Sequence, residues 1–136
     1  MLSQTAEYAL RAAVWLADHG PDPMTNQQIA QGTQVPPDYL SKVLQAMGRA
    51  GLVSAQRGKH GGFSLARPIG EITVLEVINA VDPIQRIRKC PLGLQAHAHQ
   101  FCPLHQRLDD ALHAIEESFR ATRLADVCEG AGVLSI

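Results

Sequence analysis

The 136-residue chain predicts a mostly α-helical fold that carries a single two-stranded β hairpin and ends in a long helix. Three observations lead there. Apolar residues recur at threes and fours in several separate segments; a glycine-rich turn between two short apolar runs occurs once, near residues 52–66; and prolines, glycines and capping residues punctuate the helical segments at their ends. The length suits one compact domain with an appended element and is short for two ordinary cores.

In chain order, Ser3 caps a first helix that runs to about His19, with Leu10, Ala13, Val14 and Ala17 as its expected buried face, until Gly20-Pro21-Asp22-Pro23 stops it. Tyr8 and Trp15 read as core packing, and Glu7 with Arg11 as a solvated i, i+4 pair. Thr25 and Gln28 form a capping box that opens a short helix through Ile29 and Ala30 to Gln31, and Gly32-Thr33-Gln34 is the turn after it. Pro36 and Pro37 stand where a helix start tolerates proline, and Gly51 stands just past the helix end. Between them Leu40, Val43, Leu44 and Met47 make one apolar stripe, and Asp38, Ser41, Lys42, Gln45 and Arg49 lie opposite. Residues 52–56 and 63–66 read as paired strands around Arg57-Gly58-Lys59-His60-Gly61-Gly62, a tip that can bend and approach a ligand closely.

Two short helices joined by a turn and followed by a basic hairpin make a winged helix-turn-helix, expected over residues 1–83. The polar face of the second helix mixes short polar and basic side chains, the combination that reaches both base edges and phosphates from a major groove. Ser41, Lys42 and Gln45 are therefore candidate readers of double-stranded DNA. Arg57, Lys59, His60 and Gly61 of the hairpin tip are candidate contacts to phosphate or a minor groove, and Thr25 and Gln28 are either phosphate contacts or caps. The net charge of -1 hides an uneven distribution. From Pro36 to Arg67, Lys42, Arg49, Arg57, Lys59 and Arg67 face Asp38 alone, five minus one, or +4. From Leu104 to Gly130, six acidic residues face Arg107, Arg120 and Arg123, giving -3.

Thr73 and Glu76 form a second capping box, which opens a helix through Val77, Ile78 and Val81 that stops at Asp82-Pro83. Residues 84–102 read as a cysteine and histidine loop that also carries Arg86, Arg88 and Lys89. From Pro103, Leu104, Leu108, Ala111, Leu112, Ile115 and Phe119 form a stripe with little chain left to cover it. Residues 103–136 are therefore expected to be a dimerisation helix and tail, the tail holding Cys128. Glu7, Arg11 and Asp18 interrupt the first helix, no basic start precedes it, and no run approaches membrane-spanning length, so no signal peptide or membrane segment is expected. Three cysteines, an odd number clustered late, fit ligand or sensor thiols in a reducing compartment, which makes the cytoplasm the expected location. No nucleophile stands beside a base, and no phosphate-cradling loop precedes a helix, so an enzyme is not expected.

Cys90 and Cys102 bracket the loop, each followed by a proline, with His97 and His99 between them. Cys102 falls at the N-cap of the last long helix, where free amides and the macrodipole favour the thiolate. His105 stands three residues on, and the two make a plausible ligand pair. Cysteine and histidine at such spacing suit an iron-sulfur cluster, a tetrahedral zinc ion, or, without metal, a reversible disulfide.

The segment YLSKVLQAMGRAGLVSAQRGKHGGFSLARP, preceded by LSQTAEYALRA, resembles the winged-helix transcriptional regulators of the IscR, NsrR and CymR type, often called the Rrf family. The resemblance spans nearly the whole chain. It implies a homodimeric, cytoplasmic DNA-binding regulator acting on a near-palindromic operator and commonly sensing redox, nitric oxide or iron status through a 2Fe-2S cluster. Cluster-bearing members often show three cysteines separated by five residues each, and in some a histidine three positions later. Cys90, Cys102 and His105 match that pattern, and Ala96 occupies the middle position. Four ligands are needed, so the fourth falls to His97, His99 or, across a dimer, Glu7. A cluster-free thiol or zinc regulator, and a winged-helix module for protein interaction, are the alternatives.

Overall fold

The computed structural model describes residues 2–84, 92 and 102–128. The first helix, α1 (Gln4–His19), starts where the Ser3 hydroxyl accepts the Ala6 amide at 3.1 Å and stops at Gly20. Its buried face is Ala6, Ala9, Ala12, Ala13, Val14 and Leu16, while Leu10 and Ala17 are only half-buried. This corrects the face expected from the large apolar residues. The helix packs against four others, and a stripe of alanines permits the close approach that such a central position requires. Arg11 does not pair with Glu7 as expected; its guanidinium lies over the Tyr8 ring, 5.5 Å from the centroid.

Both halves of the expected capping box hold α2 (Asn26–Thr33) at its start. The helix runs two residues further than its sequence suggests, because the Thr33 hydroxyl donates to the Ile29 carbonyl at 2.7 Å and Gln34 ends it in the left-handed conformation. The next helix, α3 (Pro37–Arg49), buries Leu40, Val43, Leu44 and Met47, the expected stripe. Gly51, at φ 78°, turns the chain into β1 (Val53–Gln56), which pairs antiparallel with β2 (Gly62–Leu65) from Val53 opposite Leu65 to Gln56 opposite Gly62. Leu52, expected in the strand, stands just before it: its amide donates to the Met47 carbonyl at 2.9 Å, and its carbonyl accepts the Ala66 amide at 2.9 Å, so it joins the helix end to the hairpin base.

Two features had no periodic signal. Met24, alone between Pro23 and α2, pairs with Phe63: its amide donates to the Phe63 carbonyl at 2.9 Å, and the Phe63 amide returns the bond at 2.7 Å. After β2, Arg67 reaches across nine residues to the Glu76 carboxylate and also donates to the Glu71 carbonyl, tying the hairpin base to α4 (Val74–Val81) across a single 3-10 turn at Ile69–Glu71. Glu76 also closes the Thr73 capping box. The Arg67 guanidinium holds this carboxyl below its ordinary range, against burial, and the Thr73 amide adds to the effect.

Cys102 caps α5 (Pro103–Ala121), and α6 (Leu124–Cys128) follows. The Val74 amide donates to Thr122 at 2.8 Å and the Leu124 amide to Ile72 at 2.9 Å, stitching the end of α5 to the start of α4. Leu124 is fully buried in the main core, with α1, α3, Leu52 and Ile72. The apolar stripe of α5 divides. Leu112, Ile115 and Phe119 line a groove of about 210 Å³ with Leu2, Ala6, Ile78 and Ile84, whereas Leu104 and Leu108 are 41% and 38% exposed. Among the described residues, no helix is long and apolar enough to cross a membrane.

Candidate nucleic-acid interface and sensor residues

The polar side of α3 projects Asp38, Lys42, Gln45 and Arg49 into solvent. It does so because burial of the opposite stripe fixes the rotation of the helix, an amphipathic selection rather than a propensity one. Ser41 differs from its neighbours. It is half-buried, its hydroxyl donates to the Pro37 carbonyl at 3.2 Å, and it accepts from Asn26 Nδ2 at 3.0 Å. Asn26, overlooked in the sequence because nothing marks the residue after an N-cap, thereby locks the start of α2 onto the first turn of α3.

Thr25 and Gln28 serve each other as caps: the Gln28 amide donates to Thr25 Oγ1 at 3.2 Å and the Thr25 amide to Gln28 Oε1 at 2.8 Å. They also line an open recess of about 400 Å³ with Asp22, Pro23, Lys59, His60 and Gly61. The start of α2 and the hairpin tip, separate in sequence, therefore face one space. Five of the candidate contacts named from sequence meet there. Asp22 was not among them, and its carboxylate lowers the positive potential of the recess. Gln45, Lys42 and Arg57 lie outside it on exposed surface.

The charge account changes in one place. Arg67 is held by Glu76 and belongs to the hairpin base. The exposed cations of this region are Lys42, Arg49, Arg57 and Lys59 against Asp38, four minus one, or +3. That surplus has the sign to which a phosphate backbone is attracted.

At the other end of the chain, Cys102 is 4% and His105 2% exposed. Cys102 stands at the N-cap of α5, as expected, and its Sγ accepts the His105 amide at 3.3 Å. The Cys102 sulfur and an imidazole one turn away make a soft and borderline donor pair suited to iron or zinc. The donor chemistry fits such a group. Glu7 is exposed on α1. Cys90, His97 and His99 lie outside the described residues. Among the described residues, no three His, Cys, Asp or Glu side chains gather into a metal-holding group. Cys128 is half-buried in α6, and burial, with Asp18 adding, pushes its thiol pKa up.

The Rrf2 family, described as iron-dependent transcriptional regulators, matches the chain over residues 2–130. A protein of Mycobacterium tuberculosis named as an HTH-type transcriptional regulator is 33% identical over 136 residues, an alignment that spans 96% of this chain and 82% of that one. One of Aquifex aeolicus with the same kind of name is 27% identical over 130 residues, spanning 93% and 90%. Among solved structures, T. potens IscR shares the fold with a TM-score of 0.80 and 26% identity, over 96% of this chain and 88% of that one. CymR (YrzC), the global cysteine regulator of B. subtilis, gives 0.76 and 25%, over 95% and 96%.

Proposed function

Since the chain belongs to the Rrf2 family of transcriptional regulators, we propose that it acts as a homodimer whose paired α3 helices enter successive major grooves of a near-palindromic operator while the hairpins grip the flanking backbone. The observation that carries this reading is the shared recess. Thr25 and Gln28 at the start of α2, and Lys59, His60 and Gly61 at the hairpin tip, face one space, and Asn26 ties that start of α2 to Ser41 on α3. Base discrimination falls to Gln45 and Lys42, which are exposed and project from the helix face; Ser41 holds α3 against α2. Arg57 and Lys59 supply affinity for any duplex. Leu104 and Leu108, exposed on α5, support that helix as the contact between copies.

The switch belongs to the α5 start. In this reading Cys90, Cys102 and His105 hold a 2Fe-2S cluster, with the fourth ligand from His97, His99 or the Glu7 of a second copy. A bound cluster supplies a group whose presence follows oxidant, nitric oxide or iron supply. The chain's own part is to hold Cys102 buried under an amide and to keep His105 one turn away, so that ligation there bears directly on the end of α5. Coupling of the usual size, about 1 to 3 kcal/mol, would change operator affinity by about 5- to 150-fold.

The test is selection of bound duplexes from a random pool by anaerobically purified protein, with iron, sulfide and zinc measured per chain. Recovery of a two-fold symmetric sequence whose half-sites stand one helical turn apart, with iron and sulfide in equal amounts, is the expected result. No enrichment of any sequence would refute the DNA reading. Enrichment by a colourless protein without iron after reconstitution would refute the cluster reading alone.

A further inference from the structure

We propose that Gly62 is a positioning residue for DNA binding: it sets the place of the basic hairpin relative to α2 and α3. The inference rests on the DNA-binding reading above and assigns a role to a residue that touches no ligand. Gly62 opens β2 at φ +148°, a conformation that side chains rarely adopt. A Cβ there would lie 2.5 Å from the Met24 carbonyl carbon and oxygen and 2.9 Å from the Met24 nitrogen. These are backbone atoms already engaged in the paired Met24 and Phe63 hydrogen bonds, so they cannot swing aside as a side chain would. Its neighbour has a different task. A Cβ on Gly61 would meet the Gln56 carbonyl oxygen at 2.3 Å, inside the hairpin itself. Gly61 therefore closes the hairpin, and Gly62 docks it.

What it docks onto decides the consequence. Met24 immediately precedes Thr25, the N-cap of α2. Asn26, one residue further, donates to Ser41 on α3. Three short joints thus run from the hairpin to the recognition helix: Phe63 to Met24, the Thr25 cap, and Asn26 to Ser41. With the first joint intact, Lys59 and His60 stand across the recess from Thr25 and Gln28. With it broken, the hairpin keeps its own ladder and its tie through Arg67, but its cations lose their fixed distance from α3.

The experiment measures binding of the full-length protein to a mixed-sequence duplex across a salt series, for the wild type, Gly62→Ala, Arg57→Ala with Lys59→Ala, and all three changes together. Gly70→Ala is the folding control, because a Cβ there meets open space. Each lost phosphate contact lowers the slope of log K against log salt by about 0.9, so loss of two cations lowers it by about 1.8 per hairpin. Gly62→Ala should reproduce most of that drop while keeping the helical circular dichroism of the wild type, and the triple variant should bind no worse than the double. A wild-type slope in Gly62→Ala, or a triple variant whose losses add, would overturn the inference. If the Arg57 and Lys59 double variant itself keeps the wild-type slope, the DNA reading of the hairpin fails instead. Should Gly62→Ala not fold, Met24→Pro removes one of the two Met24 bonds and leaves β2 untouched; it should lower the slope in the same way, and an unchanged slope would count against the inference equally.

Discussion

Leu124→Ala should unfold the DNA-binding part of the chain more readily than its place in a five-residue helix near the C-terminus suggests. Leu124 is completely buried, it shares one core with residues of α1 and α3, α6 packs on α1, and its amide is committed to Ile72. Truncating such a leucine costs about 2 to 5 kcal/mol, set by how far the site can collapse. Here the amide bond survives the substitution and α6 is short enough to shift, which argues for the middle of that range, roughly 3 kcal/mol. For a chain of this size that corresponds to a fall in Tm of about 10 °C. The assay is urea denaturation followed by circular dichroism at fixed protein concentration, with an unchanged m value as the sign that only stability moved. Leu104→Ala is the matched control. It removes the same atoms from a side chain 41% exposed in the single chain, so any loss should depend on protein concentration and vanish on dilution below the dimer threshold. A Leu124→Ala protein within about 0.5 kcal/mol of wild type would show that α6 is not part of the core.

Three other outcomes follow from the same contacts. Glu76→Gln should cost roughly 0.5 kcal/mol at neutral pH, a small figure because the pair is more than a third exposed. The fold depresses the Glu76 pKa, so its contribution is full above the ordinary value of 4.5 and is lost as pH falls through the lower folded one; wild-type and variant denaturation curves should converge in acid, and a gap that persists there would refute the assignment. Ser41→Ala should lower stability by about 1 kcal/mol and weaken all duplexes alike, whereas Gln45→Ala should leave stability within about 0.5 kcal/mol and change the ranking of operator variants; competition binding on a panel of duplexes separates the two. Cys102→Ser retains an N-cap oxygen and should keep α5 while abolishing iron binding, whereas Cys102→Ala should lose both the cap, worth about 1 kcal/mol, and the iron; iron retained by both variants would remove Cys102 from the ligand set.

The winged part was legible in the sequence wherever a single helix or turn carried its own signal. Leu40, Val43, Leu44 and Met47 share one face at helical spacing, and both capping boxes are local patterns of four residues. What the sequence concealed is tertiary. Ala9 and Ala12 go innermost because several helices crowd α1, and no periodicity ranks alanine above Leu10. Met24 forms a bridge of one residue, too short to alternate. The partnership of Arg67 with Glu76 spans a turn, and until it is seen Arg67 counts as a free cation. Leu124 has no stripe to belong to. In the candidate site, residue types picked out an exposed polar face of α3, while the hydrogen bond that sets Ser41 apart from Gln45 emerged only with Asn26.

The stitching of the end of α5 to Ile72 and Val74 has a mechanical consequence. Nineteen residues of helix span about 28 Å. One end is pinned by two backbone hydrogen bonds and the buried Leu124, and Cys102 stands at the other. Over that length a tilt of only about 5° about Thr122 carries Cys102 through about 2.4 Å, and Leu112, Ile115 and Phe119 slide with it in the groove they share with Ile78. Conversely, a displacement of that size at Cys102 corresponds to a rotation of only about 5° at the Thr122 end, where Val74 and Ile72 are hydrogen-bonded at the start of α4.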